Sequence, residues 1–585
     1  MKMLKKLYIL GFIAILTGCQ SDLLDRAPYH GIQSGQMWVS EEHADEAVMG
    51  VYNILLQSHV GMQLFAYDAL GVSAENRDED ALNAGKATVS NSRFLDSWKQ
   101  FYEGIYRANN ALENLNKTAI TAEKLSRLMS EVRFLRAYFY YRLVIVHGEV
   151  PLYTDVFEPE ELIKKREPLA NLWKFIIDEL TLCINDPNLP GRSQAGTANF
   201  GRVTKSAAYA LRGKAYLWQE MWPEAQADFE AVGTIGHELF RGAGTESYKM
   251  LFKEANEQSP EMIFSVQCIG MTGYGNEISF RYGSRSTFGS CWNTYLVNSD
   301  FVESYENADG SPFNWDDYLP GYNAMTPAQR TVFFLRDNLT AAEIATFTKN
   351  GADMSKYLAN GNEARIKAVY ENRDPRLMQT IITPYSTYIG YVNNVTQTVT
   401  LRWPYRNEAI EPFDLRTDTN AFFYYLFRKF VAEGGTEIPN RSYSPIDFPL
   451  IRYADVLLNL AEALNEQGDY QAAIAEINKV RERAGIALLQ YSDASLPTYV
   501  SGPDEMRERI RNERRWEMAG EGVNYFDELR WKTLKDTKFT TGLKQIWGQV
   551  QRANSWGGDH YYNWPIPKDA RDMNKALTQN PGWIN

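Results

Sequence analysis

The sequence predicts a mainly α fold, a scaffold of paired helices with a large irregular, loop-rich insertion between its two halves. Three observations carry this reading. Helical apolar periodicity dominates to about residue 233 and returns at Leu450. Two segments, one in each half, repeat the same hairpin spacing. Between them, over 234–445, Gly, Asn, Thr, Pro and aromatic residues crowd together and long helical periods become rare.

The N-terminus comes first. Lys2, Lys5 and Lys6 precede an apolar run, Leu7 to Leu16, followed by the small pair Thr17-Gly18 and then Cys19. A basic start, a short apolar stretch and small residues make a secretory signal over 1–18. The run is too short for a membrane span, which needs roughly 20 apolar residues. Leu16-Thr17-Gly18-Cys19 resembles the lipobox of bacterial lipoproteins, which makes Cys19 the expected site of lipidation and 19–34 a lipidated tether. Two or three acyl chains, at about 0.8 kcal/mol per buried methylene, hold a protein to a bilayer without embedding it.

Glu41–Gln57, Phe94–Asn116, Glu123–His147, Leu169–Ile184 and Thr204–Gln219 then read as amphipathic helices. Gly148 and Pro151 stop the third. They belong to a first helical portion, 35–233, which a second portion, 446–585, completes across the insertion. The repeat is clearest in Ala454 to Val480, where Leu457, Leu460, Ala461 and Leu464 fall on one face. Gly468-Asp469 turns the chain, and Ala473, Ile477 and Val480 face back. Small residues at Ala461 and Ala473 allow close approach, which is tetratricopeptide spacing. Gly213, Tyr216, Ala225 and Phe229 form a weaker copy. Such pairs stack and bury a shared core.

A net charge of −12 suits neither nucleic acid nor anionic lipid, so no nucleic-acid partner is expected. Cys183, Cys268 and Cys291 match no zinc spacing and read as buried thiols with room for at most one bridge. Asn76, Asp78 and Asp80 alternate like the start of a calcium loop, but Ala81 and Ala87 stand where the glycine and the bidentate Glu belong. No metal and no cofactor is expected. HExxH, GxSxG and P-loop patterns are absent, which argues against an enzyme.

Several long stretches resemble the SusD/RagB family of nutrient-binding outer-membrane lipoproteins of Bacteroidetes. They are VRFLRAYFYYRLVIVHGEVPL (132–152), FVESYENADG (301–310), NRDPRL (372–377), DFPLIRYADVLLNLAEALNE (447–466), AIAEINKVRERAGI (473–486), IRNERRWEMAGEGVNYFDELRW (510–531) and WPIPKDARDMNKALTQNPGW (564–583). His147 departs from a common Tyr, and the acidic run after Cys19 only partly resembles a surface-export signal. The resemblance implies a lipid-anchored protein at the outer membrane, facing outward, which closes as a lid on a SusC-like TonB-dependent transporter. Its implied cargo is glycan, with peptides the alternative. A tetratricopeptide scaffold that binds only protein is the other alternative, though an uninterrupted repeat array would suit it better.

Most of these motifs read as packing. Arg514, Glu517, Asp527 and Asn524 are expected to form buried ion pairs and caps, and Asp374-Pro375-Arg376 a turn with an ion pair. A sugar site instead wants flat rings for C–H faces and polar groups for hydroxyls. The loops Ser73–Gly85, Gly273–Tyr295 and Phe313–Tyr322 offer both. The candidates are Trp292, Tyr274, Tyr282 and Trp315 as stacking rings, with Asn76, Arg77 and Asp78 as hydrogen-bonding partners. Trp98 falls within a helical period and is assigned to the core.

Overall fold

A computed structural model describes residues 38, 40–157, 159–540 and 542–584. The signal segment, Cys19 and the tether to Ser34 lie outside the described residues. Ten helices frame the molecule: α1 (Glu41–Tyr52), α2 (Ser92–Asn114), α3 (Ala122–His147), α4 (Leu169–Asn185), α5 (Lys205–Leu217), α6 (Trp222–Thr234), α7 (Tyr453–Glu466), α8 (Tyr470–Ala484), α9 (Pro503–Glu517) and α10 (Asn524–Trp531). From α2 to α9 each helix packs on the next, and α6 packs on α7 across the whole insertion. The result is the mainly α, tetratricopeptide-like architecture that the sequence predicts. Among the described residues, no helix is long and apolar enough to cross a membrane.

Local chemistry sets the ends of these helices. Ser40, Thr121, Thr204 and Asp469 cap α1, α3, α5 and α8 by accepting a backbone N–H of the first turn. Gly148, at φ 69°, ends α3 in a conformation other residues resist. Within the α5–α6 pair, a Cβ on Gly213 would stand 2.6 Å from the Phe229 ring, so only glycine admits that aromatic.

The insertion is built of short helices and small two-stranded antiparallel sheets. Strands β1 (Ala74–Asn76), β2 (Met262–Val266), β3 (Tyr295–Val297), β4 (Thr387–Val392), β5 (Val395–Thr400) and β6 (Phe448–Arg452) include the pairs β1–β3, β2–β6 and β4–β5. The β2–β6 pairing moves the return of helix from Leu450 to Tyr453, because Phe448–Arg452 satisfies its backbone across the sheet first.

Buried charge ties the C-terminal helices to one another and to the insertion. Glu517 of α9 takes ion pairs from Arg376 at 3.0 Å, from Arg452 at 2.7 Å and from Arg483. Arg376 also meets Asp374 at 2.7 Å and Glu513 at 2.6 Å. Arg514 bridges Asp455 of α7 and Asp527 of α10, at 3.0 and 2.8 Å. Asn524 donates to the Arg515 carbonyl at 3.2 Å. Burial opposes the charge on Glu517, but the three guanidinium groups prevail and hold its carboxyl far below the usual range.

Candidate functional site

Pairing of β1 with β3 places Asn76 opposite Tyr295, so loops far apart in sequence meet at one surface. Arg77 sits at this junction. Its backbone N–H donates to the Thr294 carbonyl at 2.9 Å, and its Nη1 donates to the Trp292 carbonyl at 2.7 Å and to Asp418 at 2.8 Å. Arg285 pairs with the same carboxylate, and the Asp418 N–H donates to the Asn293 side chain at 2.9 Å. Arg552 closes the back by donating to the Arg77 carbonyl at 2.8 Å. Arg77 therefore spends its guanidinium on holding the Trp292 loop.

The held ring is available. Trp292 is 38% exposed, and its inner side leans on Phe280 at 4.9 Å between centroids. The Arg441 guanidinium lies 5.0 Å from the Phe280 centroid and 5.9 Å from that of Trp292, fixed by donating to the Gly289 carbonyl at 3.1 Å. Tyr274 is 52% exposed on a turn closed by hydrogen bonds between Ile269 and Tyr274 and between Tyr274 and Met271, each 3.0 Å. Ile269 and Met271 are exposed beside it. The segment 439–444 joins the two places: Arg441 reaches the Trp292 loop, while Tyr443 packs against Gly275 and Ser444 bridges to Asn276. Asp78 presents its carboxylate outward with 81% of the side chain exposed, 3.5 Å from Arg77.

Two candidates are corrected by burial. Tyr282 has no exposed surface: its ring stacks on Phe427 at 4.0 Å and its hydroxyl donates to the Phe65 carbonyl at 3.1 Å. Trp315 is 5% exposed, stacks on Tyr322 at 4.6 Å and donates its Nε1–H to Glu303 at 3.0 Å. Neither ring has a free face for a sugar. Asn76 ends β1 partly exposed, with its Nδ2 enclosed and without a described acceptor. Asp418, Arg441, Phe280 and Tyr443 are the site residues that sequence reasoning missed.

The neighbouring groups offer little reactive chemistry. Burial pushes the thiols of Cys268 and Cys291 up to about 12, and both cysteines, like Cys183, are free. Asp80 spends its carboxylate on Arg93 at 2.7 Å and on the Leu82 amide at 2.9 Å. Among the described residues, no group of three or more His, Cys, Asp or Glu stands ready to hold a metal.

The scaffold of paired helices thus carries an exposed, braced aromatic face. Comparison with known proteins supplies the family. A profile described as SusD family matches residues 260–583, and one described as starch-binding associating with outer membrane matches 22–217. The chain belongs to the SusD family. SusD-like protein P25 of Formosa agariphila is 24% identical, over 99% of this chain and 98% of its own. The starch-binding protein SusD of Bacteroides thetaiotaomicron is 23% identical, over 92% of this chain and 87% of its own. Among solved structures, a SusD-like carbohydrate-binding protein from Bacteroides fragilis superposes with a TM-score of 0.71 at 24% identity, covering 93% of this chain and 100% of that one. At that identity the likeness establishes the fold.

Proposed function

We propose that this chain is a glycan-binding lipoprotein of the outer membrane that captures oligosaccharide at the Trp292–Tyr274 face and delivers it to a SusC-like TonB-dependent transporter. The observation that carries the reading is Trp292, an exposed ring whose loop is clamped by Arg77 and Asp418 and whose flank is framed by Arg441. A ring fixed before binding loses little freedom when a sugar lands on it. Arg441, Asp78 and Tyr274 supply polar groups for hydroxyls around it. Relatives named for starch and carbohydrate binding support the ligand class. Lipidation at Cys19 would keep this face at the membrane surface, beside its transporter. The family role is to bind and pass on cargo, with no chemical step.

The test is calorimetry of the full chain in detergent against a polysaccharide panel, repeated with Trp292→Ala. Losing one stacking ring should weaken a bound glycan about tenfold, or ~1.4 kcal/mol. Binding of peptides and of no glycan would keep the family and overturn the ligand class.

A further inference from the structure

A second cavity, of about 430 Å³, lies on the helical scaffold away from the Trp292 loop. Its walls come from the C-terminal ends of α3, α5 and α7, the start of α6, α9 and the end of α10. Trp218, Trp222, Trp531 and Tyr562 line it, and none of these rings is fully buried. Trp218 is fixed by donating Nε1–H to the Tyr141 hydroxyl at 3.0 Å, and Trp531 by donating to Glu462 at 3.0 Å.

The charges of this groove divide unevenly. Arg530 is taken by Glu462, and Arg507 by Glu466 at 2.6 Å. Arg511 has its described carboxylate partner, Glu508, outside the groove lining, at 2.8 Å; its Nε is buried without an acceptor, and its guanidinium lies 5.3 Å from the Trp531 centroid. Lys532 follows at φ 59°, a left-handed position that sets its side chain on the groove wall, with Nζ 4.8 Å from the Tyr562 centroid. Among the described residues, Lys532 has no carboxylate within ion-pair distance. Glu220, exposed on the rim, is the lining carboxylate without a described cation partner. Two incompletely satisfied cations therefore sit among rings, in a protein whose net charge is −12.

We infer that this groove is a second saccharide site, selective for a carboxylated (uronate) oligosaccharide. The rings meet the apolar C–H faces of the sugar, while Lys532 and Arg511 receive the carboxylate, a charge-assisted contact stronger than one to a neutral hydroxyl. A peptide fits less well. Asn563 is the one side-chain amide among the lining residues, so the groove has few groups to read a peptide backbone. The site is independent of the Trp292 face and goes beyond the function proposed there.

The experiment is calorimetry of the full chain in detergent with trigalacturonate, a hyaluronan tetrasaccharide and an alginate trisaccharide, each beside its carboxyl-reduced counterpart. At least one uronate should bind, weaken when salt rises from 0.05 to 0.5 M, and lose affinity tenfold or more on carboxyl reduction. Lys532→Gln should cost it tenfold or more and leave neutral-glycan binding unchanged. Lys532→Asn, at home in left-handed backbone, serves as a second variant, with thermal unfolding confirming that both fold. Failure of all three uronates to bind overturns the inference. So does equal binding of the reduced sugars, binding indifferent to both variants, or binding abolished by Trp292→Ala while Lys532→Gln is silent. A hexaglutamate peptide that binds where no uronate does overturns the ligand class. The Trp292 reading is tested separately, with neutral glycans.

Discussion

Glu517 and Asp447 are both buried carboxylates, and the surrounding chain treats them in opposite ways. Glu517, in the helical half, faces three arginines and is held ionised. Asp447 lies beneath the loop face and, among the described residues, has no cation against it. Burial pushes its carboxyl up to about 8, with the nearby Glu257 adding to the rise. Glu257 is itself raised to about 7, by burial first, and accepts the Asp447 N–H at 3.3 Å. Glu517 is fastened by paired charge, while Asp447 and Glu257 are raised by burial and accept backbone N–H groups. Asp447 accepts the Cys268 N–H at 2.7 Å, directly behind the turn that presents Tyr274.

The largest way to break this contrast is Glu517→Ala. It removes one of the carboxylates that Arg376, Arg452 and Arg483 each face in the core, and losing one member of a buried ionic cluster costs about 3–5 kcal/mol. Urea unfolding should show that loss as a lower midpoint or as failure to fold, whereas Trp292→Ala should leave the midpoint within about 0.5 kcal/mol of wild type.

Next comes pH. The folded Asp447–Glu257 pair binds protons that the unfolded chain releases near pH 4, so the folded state holds more protons between pH 4 and 8. Stability from this pair is complete below about pH 4 and is lost as pH rises through 7 and 8. Asp455 has the opposite sign. Burial opposes its charge, Lys214 and Arg514 overcome that, and the carboxyl is held at about 2. Its contribution is present above about pH 4 and is lost as pH falls to 2. Asp447→Asn should therefore flatten the alkaline side of a stability–pH curve and leave the acid side unchanged. A curve unchanged on the alkaline side would show that Asp447 is ionised at neutral pH.

The two halves also differ in how far they could be read from sequence. The repeats were legible because periodicity is local: Leu457, Leu460, Ala461 and Leu464 are all buried on α7. The charged motifs were legible because a buried charge must find a partner nearby. The loop face was legible only as a composition rich in rings and polar groups. Tyr282 and Trp292 sit in similar glycine-flanked surroundings, yet a short helix, Ile278–Tyr282, turns the first inward against Phe427. Trp315 opens another short helix, Trp315–Tyr318, and points into Tyr322 and Phe334. Asp418 and Arg441 acquire their roles from segments more than a hundred residues away, through contacts that no local pattern encodes.

The smallest expected effect separates positioning from contact at the loop face. Asp418→Asn removes the charge that holds Arg77 and Arg285 but keeps the shape and the hydrogen-bonding reach of the side chain. Both ion pairs are partly exposed, and such pairs contribute about 0–1 kcal/mol, so stability should scarcely move. The loosened Arg77 no longer pins the Trp292 carbonyl firmly, so glycan affinity should fall severalfold, less than with Trp292→Ala. The double variant should then be no weaker than Trp292→Ala alone, because a clamp has nothing to position once its ring is gone. Additive losses would instead make Asp418 or Arg77 a direct contact to the sugar. The same measurement on Asp78→Ala, whose carboxylate stands largely in solvent at 3.5 Å from Arg77, gives the reference for a residue that meets the clamp without holding the Trp292 loop.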